Sequence, residues 1–118
     1  MVEATFRKHD PTRYLCLALE GHAHCADPGQ DIVCASASIL AYTVAQIVKT
    51  MAHHGDLAAE PVVELDRGDA TIICRCKDDE TYAEAAHTFF VAQVGYALLE
   101  HTYGDHVKLT VVGEAQTP

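Results

Sequence analysis

A chain of 118 residues with 49% apolar side chains is long enough for one hydrophobic core and too short for two. Its 17 acidic residues outweigh 8 lysines and arginines, for a net charge of −9. No basic cluster interrupts that balance, which excludes a nucleic-acid binder that works by displacing phosphate counterions.

The chain order begins with alternation. Val2, Ala4 and Phe6 alternate with Glu3, Thr5 and Arg7, and Leu15, Leu17 and Leu19 alternate with Cys16, Ala18 and Glu20. The period of two predicts two strands, and the Asp10-Pro11 turn joins them as a hairpin. That amino terminus lacks a charged start followed by an apolar run, so no secretory signal is expected. Residues 23–30 are polar, carry Pro28 and Gly29, and read as a loop. Asp31 is placed to cap a helix that Ile32, Val33, Ile39, Leu40, Val44, Ile47, Val48 and Met51 sustain to about His53, before Gly55 ends it. The polar residues within residues 32–51 assign this stretch to a soluble core rather than a membrane span.

The order then repeats. Residues 61–65 and 70–74 flank the turn Asp66-Arg67-Gly68-Asp69 and predict a second hairpin. Asp78 or Asp79 caps a second helix carrying Tyr82, Ala85, Ala86, Phe89, Phe90, Tyr96 and Leu99, which stops by Gly104. Residues 107–112 form a last strand. The expectation is an α+β fold in the order ββαββαβ, two helices packed on a mostly antiparallel sheet. It occupies a single domain over residues 1–113, with a frayed tail at 114–118.

The chemistry concentrates in Gly21-His22-Ala23 and in Asp31-Ile32-Val33-Cys34-Ala35. A thiol is a weak nucleophile until it ionises, and a helix start and an adjacent imidazole both favour the thiolate. The intervening loop is long enough to fold His22 back over the helix. These motifs, with Ser38 following, resemble the ribosomal-processing cysteine proteases of bacteria, the Prp family, over nearly the whole chain. Ser36 and Ala37 follow Ala35 where the family commonly has a small residue and then a small or branched one, a mild departure. The resemblance implies a cysteine endopeptidase with Cys34 as nucleophile and His22 as general base and acid. It implies, as substrate, the N-terminal extension of large-subunit ribosomal protein twenty-seven, removed after an aromatic pair, and it implies no cofactor.

Each residue also has a plainer reading. Cys34 is equally a small hydrophobe in a packed helix, and His22 a loop histidine without a task. Asp31 either caps the helix or orients the imidazole. Ser38, one turn after Cys34, lines the site or bonds back to a helix carbonyl. Gly21 supplies backbone freedom before His22, and the N–H groups of Cys34 and Ala35 are candidate oxyanion donors at a helix start. His24 is an alternative base, and Cys25 carries no assigned role. A zinc site drawn from His22, His24, Cys25, Cys34, Cys74 and Cys76 lacks the usual two-residue gap between cysteines. The histidines at 53, 54, 101 and 106 lie at helix ends, as structural or solvated groups.

Five cysteines, odd in number and irregular in spacing, argue against a disulfide framework and for reduced thiols in a cytoplasmic protein. An acidic surface suits a basic partner such as a ribosomal protein. Excess apolar positions on both helices predict a homodimer. The rival reading is a non-enzymatic ribosome-assembly or protein-binding module with an acidic face, in which Cys34 is merely buried. No membrane or direct nucleic-acid contact is expected.

Overall fold

The computed structural model describes residues 1–21, 28–66 and 69–113. Strands β1 (Val2–His9) and β2 (Tyr14–Glu20) are joined by a short 3-10 turn at Asp10–Thr12 that closes on Arg13, whose φ of 55° lies in the left-handed region. Helix α1 (Pro28–His53) follows, then β3 (Val62–Asp66), β4 (Asp69–Arg75), helix α2 (Asp79–Thr102) and β5 (Val107–Val112). The predicted order of elements and the α+β class are what the structure contains. Arg67 and Gly68 of the second turn and the tail at 114–118 lie outside the described residues.

The sheet order is β3-β4-β2-β1-β5. Three pairings are antiparallel, and β5 runs parallel to β1. Each helix thus connects strands of the same direction, β2 to β3 and β4 to β5. The right-handed rule for such crossovers puts both helices on one face. The burial pattern agrees: Phe6 pairs with Leu17, Leu17 with Ile72, and all three are buried, whereas their neighbours Thr5, Ala18 and Thr71 are less covered.

Helix α1 presents Val33, Ala37, Ala41, Val44, Val48 and Met51 to that face, a stripe at intervals of three and four. The segment from Ile32 to His53 has the length and hydropathy of a membrane span, yet this stripe packs into the common core with the sheet. Helix α2 starts at a capping box, in which the Asp78 carboxylate accepts from the Thr81 N–H at 2.9 Å and Thr81 reaches back to the Asp78 N–H. Those bonds hold the Asp78 carboxyl below the usual carboxylate range. Asp79, the other candidate cap, instead accepts from Arg13 Nε at 2.9 Å.

Candidate active site

The candidate site begins where β2 ends, at Gly21. A Cβ built there would lie 2.7 Å from Val2 Cα and 3.1 Å from the Met1 carbonyl oxygen. Glycine is required because the backbone of β1 passes too close for any side chain. This corrects the expectation of conformational freedom, since the one positive-φ glycine among the described residues is Gly55. The strand start it touches is itself fixed, because the Val2 N–H donates to the His106 carbonyl at 2.7 Å. Gly21→Ala therefore pushes on backbone rather than on a flexible side chain. We expect it to cost about 1–3 kcal/mol, read as a lowered urea midpoint, and to lower cleavage by displacing the chain at its neighbour, position 22.

Helix α1 starts at Pro28, three residues before Asp31. Proline suits a first helical position, where its missing N–H would be unpaired anyway. Asp31 is thus the fourth helical residue and not the N-cap, and what its carboxylate faces lies outside the described residues. Cys34 becomes the seventh residue, in the second turn. There the backbone N–H groups of Cys34 and Ala35 belong to the helical ladder, so they are not the spare donors expected for an oxyanion. The macrodipole also fades beyond the first turn. Whatever favours a thiolate at Cys34 must come from side chains.

Cys34 and Ser38 do share one face, both half-buried, while Ala35 is exposed. Cys34 packs against the core. The turn after it is anchored by a residue that sequence reading treated only as a core aromatic. Tyr96, fully buried on α2, donates its hydroxyl to the Ala37 carbonyl at 2.7 Å and meets Phe6 edge-on at 5.7 Å between centroids. Burial pushes the Tyr96 hydroxyl pKa well up, so it remains a donor. Helical spacing places Tyr96 inward, but no sequence signal names the carbonyl it reaches. At the position before Tyr96 on α2, Gly95 allows close approach: a Cβ there would sit 2.9 Å from both methyls of Leu40. Sheet, α2 and α1 are thereby locked together within a turn of Cys34.

The remaining thiols differ from Cys34 in kind. Cys16, Cys74 and Cys76 are free and buried. Burial raises all three, Cys74 to about 12. Such thiols are poor nucleophiles at neutral pH. Cys34 is disulfide-bonded, which overturns the expectation of reduced thiols throughout. Among the described residues, no three of His, Cys, Asp and Glu come together as a metal site. His22, His24 and Cys25 lie outside the described residues, so the predicted His22–Cys34 pairing does too.

Two clefts lie elsewhere. One of about 280 Å³ runs between α2 and the β1–β5 edge, lined by Phe6, Arg7, Phe89, Phe90 and Val111. The other, about 200 Å³, lies between the helices among Leu40, Ile47, His87 and Val91. Cys34 lines neither.

Comparison with known proteins identifies this frame. The fold matches the essential ribosomal processing protease Prp from S. aureus in complex with a substrate peptide, at 21% identity and a TM-score of 0.66, over 94% of this chain and 99% of that one. The same S. aureus protease with a covalently linked product peptide matches at 23% identity and a TM-score of 0.62, again over 94% and 99%. A Streptococcus mutans protein, SMU.848, matches at 21% identity and a TM-score of 0.64, over 95% of this chain and 97% of that one. No curated protein sequence matches the chain. The family model of the cysteine protease Prp matches residues 1–108, which sets aside the non-enzymatic reading. The chain belongs to the Prp family and is a cysteine protease.

Proposed function

We propose that this protease removes the N-terminal extension of large-subunit ribosomal protein twenty-seven in the cytoplasm, with Cys34 as nucleophile and His22 as general base and acid. The observation that carries the reading is the contrast among thiols. Cys34 alone of the described cysteines is half-buried on a helix, while the other three are sealed into the fold with raised pKa values.

In the reduced protein His22 takes the Cys34 proton, and the sulfur attacks the carbonyl carbon of the scissile bond. The tetrahedral oxyanion collapses to a thioester as His22 returns a proton to the departing amine. Water, deprotonated by His22, then releases the extension. The matched S. aureus protease structures, one in complex with a substrate peptide and one with a covalently linked product peptide, support a peptide substrate and a covalent route. The test is to incubate reduced protein with the extended ribosomal protein and weigh the products. A single shortened species is expected, and an unchanged mass contradicts the reading.

The surface charge makes a separate expectation. A net charge of −9 attracts a basic ribosomal protein at long range, and salt screens that field. Cleavage of the whole ribosomal protein should slow as salt rises from about 0.01 to 0.15 M. A short neutral peptide should change much less. Equal salt sensitivity removes steering from the account.

The protease acts as a homodimer. The helices leave Ile39 at 60%, Leu98 at 63% and Val91 at 57% exposure, and Val91 also lines the cleft between them. A second copy covering about 800 Å² of each subunit would be of ordinary size for a stable interface. Light scattering should give twice the monomer mass at micromolar concentration, and Leu98→Glu should halve it.

A further inference from the structure

We propose that the outer edge of β5 docks an extended acidic peptide of another protein, which adds a strand to the sheet and seats an apolar side chain in the cleft beside α2. β5 is a terminal strand and runs parallel to β1. The Val2 N–H donates to the His106 carbonyl, and this register turns the N–H groups of Lys108, Thr110 and Val112 towards β1 and those of Leu109, Val111 and Gly113 outward. The Leu109 N–H is taken by Glu100 Oε2 at 3.0 Å. Among the described residues, nothing accepts from the N–H of Val111 or Gly113. Soluble proteins blunt a free edge, often with lysine, because unpaired backbone groups invite another chain. Here Lys108 and the Glu100 contact blunt the first half of β5 and leave the second half bare.

The bare half borders the cleft. Phe6 and Val111 are register partners on the helix side of the sheet, and with Phe89 and Phe90 they give the cleft an aromatic and aliphatic wall. Phe90 and Val111 remain 55% and 51% exposed. At about 280 Å³ the cleft falls just short of the usual range for small-molecule sites, so it suits one bulky side chain rather than a cofactor. It is distinct from the candidate active site, because Leu15 in its wall stands six residues before Gly21, about 20 Å along β2. A strand paired with Val111 and Gly113 points alternate side chains into this cleft and onto the opposite face of the sheet.

Charge selects the occupant. Two cations, Arg7 and Lys8, line the cleft, and no carboxylate does. Lys8 lies 3.9 Å from Asp10, whereas Arg7 and Lys108 are in no ion pair among the described residues. Lys108 opposes Glu3 and Arg7 opposes Val112, so both stand on the sheet face away from the helices, Lys108 on β5 itself and Arg7 one strand in. Their register positions on β5 are four residues apart, about 13 Å, which matches carboxylates at alternate positions of an added strand. On a chain of net charge −9 this edge is locally basic, and opposite charge favours encounter and fixes register. The other terminal strand, β3, exposes Glu64 and Asp66 and repels the same peptide. A basic ribosomal protein has the wrong sign for β5.

The test uses the full chain and a labelled probe, acetyl-Asp-Val-Asp-Phe-Asp-Val-Asp-amide, followed by fluorescence anisotropy and amide NMR shifts. Saturable binding with a Kd below about 1 mM is expected, with the largest shifts at the Val111 and Gly113 amides. Val111→Pro removes an outward N–H that is no part of the β1 ladder, so the sheet tolerates it, and it should weaken binding about fivefold or more. Phe90→Ala, at an exposed position, should weaken binding about fivefold or more without touching the backbone. An unchanged circular dichroism spectrum checks the fold of each variant. The same peptide with lysine for every aspartate should bind far more weakly. No saturation by about 1 mM, equal binding of the lysine peptide, full binding by Phe90→Ala, or shifts centred away from Val111 and Gly113 overturns the proposal. Binding seen only in a chain lacking residues 114–118 assigns the edge to the chain's own terminus. Val111 shifts that grow with protein concentration alone assign it to a second copy, and either result also overturns the proposal.

Discussion

Cys34→Ala is expected to reduce cleavage of the extended ribosomal protein by about 10⁴-fold or more, the loss seen when a nucleophile that anchors a covalent route is removed. That is about 5 kcal/mol of transition-state stabilisation, at 1.36 kcal/mol per tenfold. The fold should survive. Alanine is the best helix former, position 34 is half-buried rather than sealed, and the turn is held by the Tyr96–Ala37 bond regardless of the sulfur. An unchanged circular dichroism spectrum with lost cleavage separates chemistry from stability. Full turnover by purified Cys34→Ala would remove Cys34 from the mechanism.

His22→Ala should lose cleavage by a comparable factor, because base and nucleophile act as one unit and their deletions do not add. It also carries a readout that a structural histidine would not move. With Cys34 in the second helical turn, past the reach of the macrodipole, the proposed mechanism assigns the work of favouring the thiolate to the His22 imidazole. In the reduced parent, Cys34 should therefore alkylate at a pH well below that of an ordinary thiol, which ionises near about 8.5. The His22→Ala profile should shift up towards that value. Cys16, Cys74 and Cys76 should label last in both proteins, because burial raises their thiol pKa values. Coincident profiles for parent and variant would mean that His22 does not contact the resting thiol.

The fold was legible because its signals are local. Alternation at Val2, Ala4, Phe6 and at Leu15, Leu17, Leu19, the Asp10-Pro11 turn, and Asp78 as a cap each depend on neighbours in sequence, and each is where the structure has it. The start of α1 was misplaced because Pro28 and Gly29 read as loop residues. A proline is also a good first helical residue, and that alternative moves Cys34 from the first turn to the second. The role of Gly21 depends on Val2, 19 residues away in sequence and in contact only once β1 and β2 pair. Tyr96 was legible as an inward aromatic and not as the anchor of the Ala37 carbonyl, because its partner sits on the other helix. The Cys34 disulfide was hidden by an odd cysteine count, which speaks against a framework but says nothing of a single bond.

Within the site, sequence alone paired His22 with Cys34 and placed Ser38 on the same helical face, and only the second rests on described residues. Asp31 lost its capping role to an earlier helix start, and Ala35 its part as an oxyanion donor to the helical ladder.

The most direct test of the central claim is to trap the covalent intermediate. Reduced protein is mixed with the extended ribosomal protein, quenched in acid within the first turnover, and mapped by mass spectrometry. The account predicts a thioester joining the released N-terminal extension to the peptide that contains Cys34, absent from Cys34→Ala. Cleavage that proceeds with no adduct on Cys34, and at the same rate after Cys34 has been alkylated, would contradict it.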